Sequence, residues 1–121
     1  MDRAARVLVV EDESLIRLML SDMLADLGHE VAAEASNLGV ALELAEVVDY
    51  DLAILDVNLA DGLTYPVADI ARKRKKALVL ATGYGSTGLR ADYQHAIVLQ
   101  KPFTNDGLSR AVRSALDERR V

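Results

Sequence analysis

The sequence predicts an α/β fold in which helices cover both faces of a five-stranded parallel sheet. Two observations carry that expectation. First, short unbroken apolar runs, such as Val7-Leu8-Val9-Val10 and Leu52-Ala53-Ile54-Leu55, alternate with longer segments of helical period. Unbroken runs mark strands buried on both faces, and the alternation implies right-handed βαβ units. Second, the runs end in reactive groups. Val10 leads into Glu11-Asp12, Leu55 into Asp56, Leu78-Val79-Leu80-Ala81 into Thr82, and Ile97-Val98-Leu99 into Lys101. In open parallel sheets ligands sit at the carboxyl ends of the strands, so these residues would share one rim. A carboxylate at the exit of a buried strand is costly unless something uses it, and Asp56 is the central case.

The elements follow in order. Residues 6–10 read as the first strand. Residues 13–27 form a helix, with Ile16, Leu20, Met23, Leu24 and Leu27 inward and Arg17, Ser21, Asp22 and Asp26 on the wet face. Glu13 or Ser14 caps its start, and Gly28 ends it in the left-handed conformation. Residues 30–35 make a weak strand of small residues, placed near an edge. Residues 37–48 form a second helix, with Leu38, Ala41, Leu42, Ala45 and Val48 inward. Residues 51–56 are the central strand, followed by a loop from Val57 to Gly62. Tyr65-Pro66 opens a third helix that runs to Lys75, since proline is tolerated in a first helical turn. The run Arg72-Lys73-Arg74-Lys75-Lys76 closes it, as cations at a helix C-terminus do; a patch for an anion or RNA is the weaker alternative in so acidic a chain. Residues 77–82 and 96–99 are the last two strands. Thr104 caps a final helix starting at Asn105, with Leu108, Ala111, Val112, Ala115 and Leu116 inward. Between them, residues 83–95 hold Gly83, Gly85 and Gly88 and few apolar side chains, which predicts a short frayed helix or a loop with one turn. The set suits a flavodoxin-like, doubly wound sheet ordered 2-1-3-4-5.

The bulk numbers narrow the function. The chain has 121 residues, suiting a single domain over residues 1–121 with no output domain. There is no cysteine, hence no disulfide framework and no thiolate metal site. No signal segment and no apolar run of membrane-spanning length is present, and a cytoplasmic location is expected. Net charge is −5 and there is no tryptophan, which speaks against a general grip on nucleic acid or a stacking platform for bases. His29 and His95 stand alone and read as surface residues.

An acidic pair after the first strand (Glu11-Asp12), a central Asp56, Thr82 after the fourth strand and Lys101-Pro102-Phe103 after the fifth form a specific set. In that set the chain resembles the receiver domain of bacterial two-component response regulators over essentially its whole length. Leu80-Ala81-Thr82-Gly83-Tyr84-Gly85 is similar to a group of single-domain alphaproteobacterial receivers named for a phenylalanine-alanine-threonine-glycine-tyrosine motif, with Leu80 in place of the phenylalanine. The resemblance implies that Asp56 is the phosphoacceptor, fed by a sensor histidine kinase or a histidine phosphotransfer protein. It implies a magnesium ion held by Asp12, Asp56 and the backbone carbonyl of Asn58, with the longer Glu11 acting directly or through water. Lys101 would pair with the phosphoryl group, Thr82 would donate to it, and Pro102 is the candidate for a cis peptide bond. Physical chemistry agrees: a carboxylate attacks phosphorus when the phosphate charge is neutralised, and magnesium takes hard oxygen ligands. Like charges ~5 Å apart repel by roughly 3 kcal/mol at an effective dielectric of 20, more than one lysine offsets among three carboxylates.

Several positions depart from that family. The aromatic that ordinary receivers carry three residues before the lysine is here Val98, and Tyr84 is expected to take over the switch or to cover the gap left by the thin crossover. Ala60 stands where proline is frequent. The interval from Thr82 to Lys101 is short, trimming a face that commonly dimerises, so a monomer is expected. The chain would then act by contact, as phosphate relay, as phosphate sink or by docking on a downstream regulator protein. Three rivals are weaker. Gly83-Tyr84-Gly85-Ser86-Thr87-Gly88 spells a dinucleotide-binding G-x-G-x-x-G but follows the wrong strand. An aspartate-based phosphatase would need a proton donor where Asn58 stands. A binding module independent of phosphate would not need the intact set of charged residues.

Overall fold

In the computed structural model, which describes residues 4–84 and 88–119, strands and helices alternate as expected. The order is β1 (Arg6–Val10), α1 (Ser14–Asp26), β2 (Glu30–Ala35), α2 (Leu38–Val47), β3 (Leu52–Asp56), β4 (Asn58–Leu59), β5 (Gly62–Leu63), α3 (Tyr65–Lys73), β6 (Ala77–Thr82), β7 (Ile97–Gln100) and α4 (Asn105–Arg119). The main sheet has five parallel strands in the order β2-β1-β3-β6-β7. With the β4–β5 hairpin set aside, this is the doubly wound order 2-1-3-4-5, and β2 lies at an edge as its small residues suggested.

The sheet divides the core by strand alternation. Val7 and Val9 of β1 face Leu20 and Leu24 of α1 and Leu108 and Val112 of α4. Leu8 and Val10 face Ala41 and Ala45 of α2 and Val67 and Ala71 of α3. Every residue of β3 is buried, which is why its sequence carries no polar residue before Asp56. No helix among the described residues is long and apolar enough to cross a membrane.

Local chemistry sets the ends. Gly28 closes α1 at φ 88°. Asn37 caps α2 by accepting the Val40 N–H at 2.9 Å, and Asp61 accepts the Leu38 N–H at 3.0 Å from the loop after β3. Thr104 caps α4 by accepting the Gly107 N–H at 3.0 Å. Glu13 stands at the start of α1 but its side chain makes no capping bond.

Several expectations need correction. The loop after Asp56 contains a small antiparallel pair, Asn58 with Leu63 and Leu59 with Gly62. Helix α1 is apolar on more than one face: Leu15, Leu18 and Met19 are exposed in addition to the inward stripe. Ser21 is half-buried with an unpartnered hydroxyl, and Arg17 is half-buried and bonded, so neither belongs to a wet face. His29 is half-buried and its Nδ1 accepts the Ala5 N–H at 3.0 Å, whereas His95 is exposed as expected. Arg74 serves a different helix from the one it ends: its Nη1 donates to the carbonyls of Ala45 and Val48 at 2.7 and 2.9 Å, at the end of α2.

The crossover from β6 to β7 contains no α-helix among the described residues, and Ala91–Tyr93 form a 3-10 turn. Leu89 and Tyr93 fill the space. The Tyr93 ring is 1% exposed and stacks on Tyr65 at 5.5 Å. Its hydroxyl donates to Asp69 at 2.7 Å, while the Arg90 N–H donates to the Tyr65 hydroxyl at 2.8 Å. The Arg72 guanidinium lies 3.8 Å from the centre of the Tyr93 ring. Among the described residues a loop with a turn is thus the form this crossover takes, and a handful of aromatic and arginine contacts covers the sheet there.

Candidate phosphoryl-transfer site

Four strands deliver the site. Parallel register places the end of β1 beside that of β3, the end of β3 beside β6, and the end of β6 beside β7. Glu11 and Asp12, Asp56, Thr82 and Lys101 therefore meet at one rim, as the sequence suggested. Asp12, Asp56, Asn58, Thr82, Tyr84 and Lys101 line a cleft there of about 700 Å³.

Lys101 is the hub. Its Nζ donates to Glu11 Oε1 at 2.8 Å and to Asp56 Oδ2 at 3.1 Å. The remaining carboxylate oxygens are also engaged: Glu11 Oε2 accepts the Glu13 N–H at 3.1 Å and Asp56 Oδ1 the Asn58 N–H at 3.3 Å. Asp12 Oδ2 accepts the Ala60 N–H at 2.7 Å. Proline, frequent at this position in the resembled family, has no N–H to give, so the Ala60 departure supplies a bond to the acidic pair. The Lys101–Pro102 bond is cis, as expected.

Burial and pairing act differently on the two ends of the ion pair. Burial raises the Glu11 carboxyl above its ordinary value, and the nearby Asp56 charge adds to this; the bonds from Lys101 and Glu13 pull the other way without prevailing. At Lys101, burial works toward a lower value, but the bonds to Glu11 and Asp56 prevail and raise it. The ammonium is held charged and the buried glutamate carries the electrostatic cost.

The donor set fits a hard divalent cation. Glu11, Asp12 and Asp56 each bring a carboxylate oxygen within 4.8 Å of the others. Three carboxylates against one lysine leave an excess of negative charge on hard oxygens, the ligands magnesium or calcium takes.

Thr82 is 6% exposed, and its Oγ1 accepts the Tyr84 N–H at 3.1 Å. Tyr84 itself is 75% exposed, so its ring does not cover the thin crossover; Tyr93 does. Val98, in the position of the missing aromatic, is half-buried opposite Leu80. Of the glycine-rich stretch, Gly85 to Thr87 lie outside the described residues, and the motif follows β6 instead of the first strand.

Two residues that support the site were not singled out from the sequence. The Thr64 hydroxyl is buried and donates to the Asp56 carbonyl at 2.7 Å, holding the backbone of Asp56. A threonine before Tyr65-Pro66 reads as a helix cap; it occupies that place but turns its hydroxyl back toward β3. Arg17 Nη1 donates to the Glu11 carbonyl at 2.8 Å while its Nε meets Glu34 at 3.2 Å, so it braces the loop carrying the acidic pair. No residue-type signal marked it, since its partner on Glu11 is a backbone carbonyl.

The family model of the response regulator receiver domain matches residues 7–113 of the chain. The transcriptional regulatory protein PdtaR of Mycobacterium tuberculosis is 39% identical over 116 residues, 92% of this chain and 56% of PdtaR. The chain thus spans about half the length of that curated relative. The solution structure of SdrG from Sphingomonas melonis Fr1 superposes with a TM-score of 0.83 at 37% identity, covering 96% of this chain and 99% of SdrG. The crystal structure of the anti-anti-sigma factor PhyR from Bartonella quintana gives a TM-score of 0.86 at 26% identity, over 99% of this chain and 50% of PhyR.

Proposed function

The chain belongs to the response regulator receiver domain family, and on that premise we infer that Asp56 accepts a phosphoryl group from a phosphohistidine on a sensor kinase or histidine phosphotransfer protein. Receivers of this family are signalling phosphoacceptors. An Asp56 carboxylate oxygen forms the new bond to phosphorus as the P–N bond of the phosphohistidine breaks, its electron pair leaving with the imidazole. The single observation that supports this most is the Lys101 ammonium, 3.1 Å from Asp56 Oδ2 and 2.8 Å from Glu11 Oε1 in a cleft open to a donor. Lys101 then pairs with a phosphoryl oxygen, and the Thr82 hydroxyl donates to another.

Magnesium is the cofactor of this reading, held by Asp12, Asp56 and the Asn58 carbonyl. Glu11, whose carboxylate lies within 4.8 Å of those of Asp12 and Asp56, would serve the ion directly or through water. When bound, the ion neutralises charge on the phosphoryl oxygens. Turning of Thr82 toward the phosphoryl group exchanges its bond from the Tyr84 N–H, and the exposed Tyr84 ring carries that change to a downstream regulator protein. A cytoplasmic location beside the kinase suits this role.

Phosphotransfer from radiolabelled histidine kinases tests the reading. Wild type should take the label and Asp56→Asn should not; label retained by Asp56→Asn would overturn it. Tyr84→Ala should be labelled as wild type yet lose its partner response, and a normal response removes Tyr84 from the switch.

A further inference from the structure

Phosphoacceptance leaves the basic run 72–76 unexplained, and the structure divides that run. Arg74 is engaged at the end of α2. Arg72, Lys75 and Lys76 instead line a cleft of about 450 Å³ together with His95. It lies at the amino ends of β6 and β7, the opposite end of the sheet from Asp56. Leu78 and Ala96 give it an apolar floor, and Glu118 is the one acidic residue on its wall. Its volume falls within the range of small-molecule sites, roughly 300–1,000 Å³. So many cations around one concavity run against a chain whose net charge is −5.

The backbone of Lys75 is an independent observation. It has φ 61°, the only positive φ outside glycine among the described residues. Its N–H donates to the Arg72 carbonyl at 3.0 Å and the Lys76 N–H to the Ala71 carbonyl at 2.9 Å. That is the exit turn at which glycine is the favoured residue, because a Cβ is strained there. The end of α1 uses Gly28 for the same purpose. A lysine at this position holds a cation at the cleft mouth at a cost in stability. Helix electrostatics do not require it, since Arg72 and Lys73 already occupy the last turn of α3.

We propose that this cleft binds a phosphate-bearing small molecule, with its phosphates on Lys75, Lys76 and His95 and its apolar body on the floor of Leu78 and Ala96. Three cationic side chains lining one cleft suit a multiply charged phosphate better than a single carboxylate. Arg72 forms a fixed wall, held by its bond to the Asp92 carbonyl at 2.9 Å and by the Tyr93 ring. Lys76 rests with its Nζ 5.7 Å from the Tyr50 ring, which lies outside the cleft, so its side chain must turn to meet the ligand.

The test is titration of adenosine diphosphate into the full chain without divalent metal, followed by backbone amide NMR. Saturable shifts are expected at Ala77, His95 and Ala96. Lys75→Gly and Lys76→Gln should each weaken binding roughly tenfold, the loss of one charge-assisted hydrogen bond. Lys75→Gly should melt no lower than wild type, because glycine relieves the left-handed turn, so its weaker binding cannot be unfolding. Pyrophosphate saturating the same amides supports the cationic wall as the recognising element, and tighter binding of adenosine diphosphate supports the apolar floor as well. Shifts that stay linear into millimolar ligand, that gather at Asp12, Thr82 and Lys101, or that are unchanged in both variants overturn the proposal. So does saturation of these amides by an acidic peptide where neither phosphate compound binds.

Discussion

The rim at the carboxyl ends of the strands and the crossover between β6 and β7 are adjacent in the fold and built on opposite principles. The rim gathers Glu11, Asp12 and Asp56 around a single Lys101, and its most buried member, Glu11, has a raised carboxyl pKa because burial outweighs its partners. The crossover gathers Tyr65, Tyr93, Arg72 and Arg90 with Asp69 and Asp92, and its polar atoms meet complementary ones. The rim sacrifices stability for an excess of negative charge that a cation can use. The crossover spends its side chains on holding the sheet without a helix. The difference predicts opposite responses to mutation: removing a group from the crossover should destabilise, and neutralising one at the rim should not.

The largest expected effect tests the crossover. Tyr93 is 1% exposed and packs on Tyr65, Leu89 and the β6–β7 face. Tyr93→Ala should cost about 3–5 kcal/mol, the range for truncating a buried aromatic. Urea unfolding measures it. A loss below about 1 kcal/mol would show that the ring is not what covers this face, and the comparison would fail on its stable side.

The rim should respond to metal. Magnesium at ten times its dissociation constant should stabilise the protein by about 1.4 kcal/mol, since it binds the folded state alone. Thermal melts in chelator and in millimolar magnesium read this directly. In chelator, Asp56→Asn should melt at or above wild type, because one of three mutually repelling carboxylates is gone, and magnesium should then raise its melting temperature less. An unchanged wild-type melt across millimolar magnesium would remove the cation from the site.

How much of this was legible in the sequence follows the same division. The rim was legible because parallel strands must be apolar and must end somewhere. A charged residue at the end of such a run has one reading, and strand order brings the ends together whatever the loops do. Glu11, Asp12, Asp56, Thr82 and Lys101 were found in that way. The crossover was legible only as a deficit, three glycines and few apolar residues between Gly83 and His95. What fills it is Tyr93 stacked on Tyr65, a contact between residues far apart in sequence and on irregular backbone, where no period announces it. Thr64 and Arg17 were missed for a related reason. Each reaches the site through a bond to a backbone carbonyl, and every residue offers one, so residue type alone does not reveal that bond. The exposed Leu15, Leu18 and Met19 show the converse limit: a helical stripe locates one apolar face of α1 but not a second.

The smallest expected effect separates the packing of Tyr93 from its hydroxyl. Burial, and the bond to Asp69 after it, push the Tyr93 pKa up from its ordinary value of 10.0, and the cations Arg72 and Arg90 only partly oppose this. The folded protein therefore holds the phenolic proton more tightly than the unfolded chain does. That contribution is complete below pH 10 and is lost as pH rises from there through the folded-state pKa. Tyr93→Phe keeps the ring and removes the proton. At neutral pH it should cost about 0.5–1.5 kcal/mol for the lost hydrogen bond. Between pH 10 and 11 its stability should fall less steeply than that of wild type, the remaining slope belonging to other groups, including Tyr50, which burial also raises. Urea midpoints for the two proteins at pH 8 and at pH 11 decide it. Parallel decline would place Tyr93's contribution in the ring alone, and the crossover would then be held by packing with no part for the Asp69 bond.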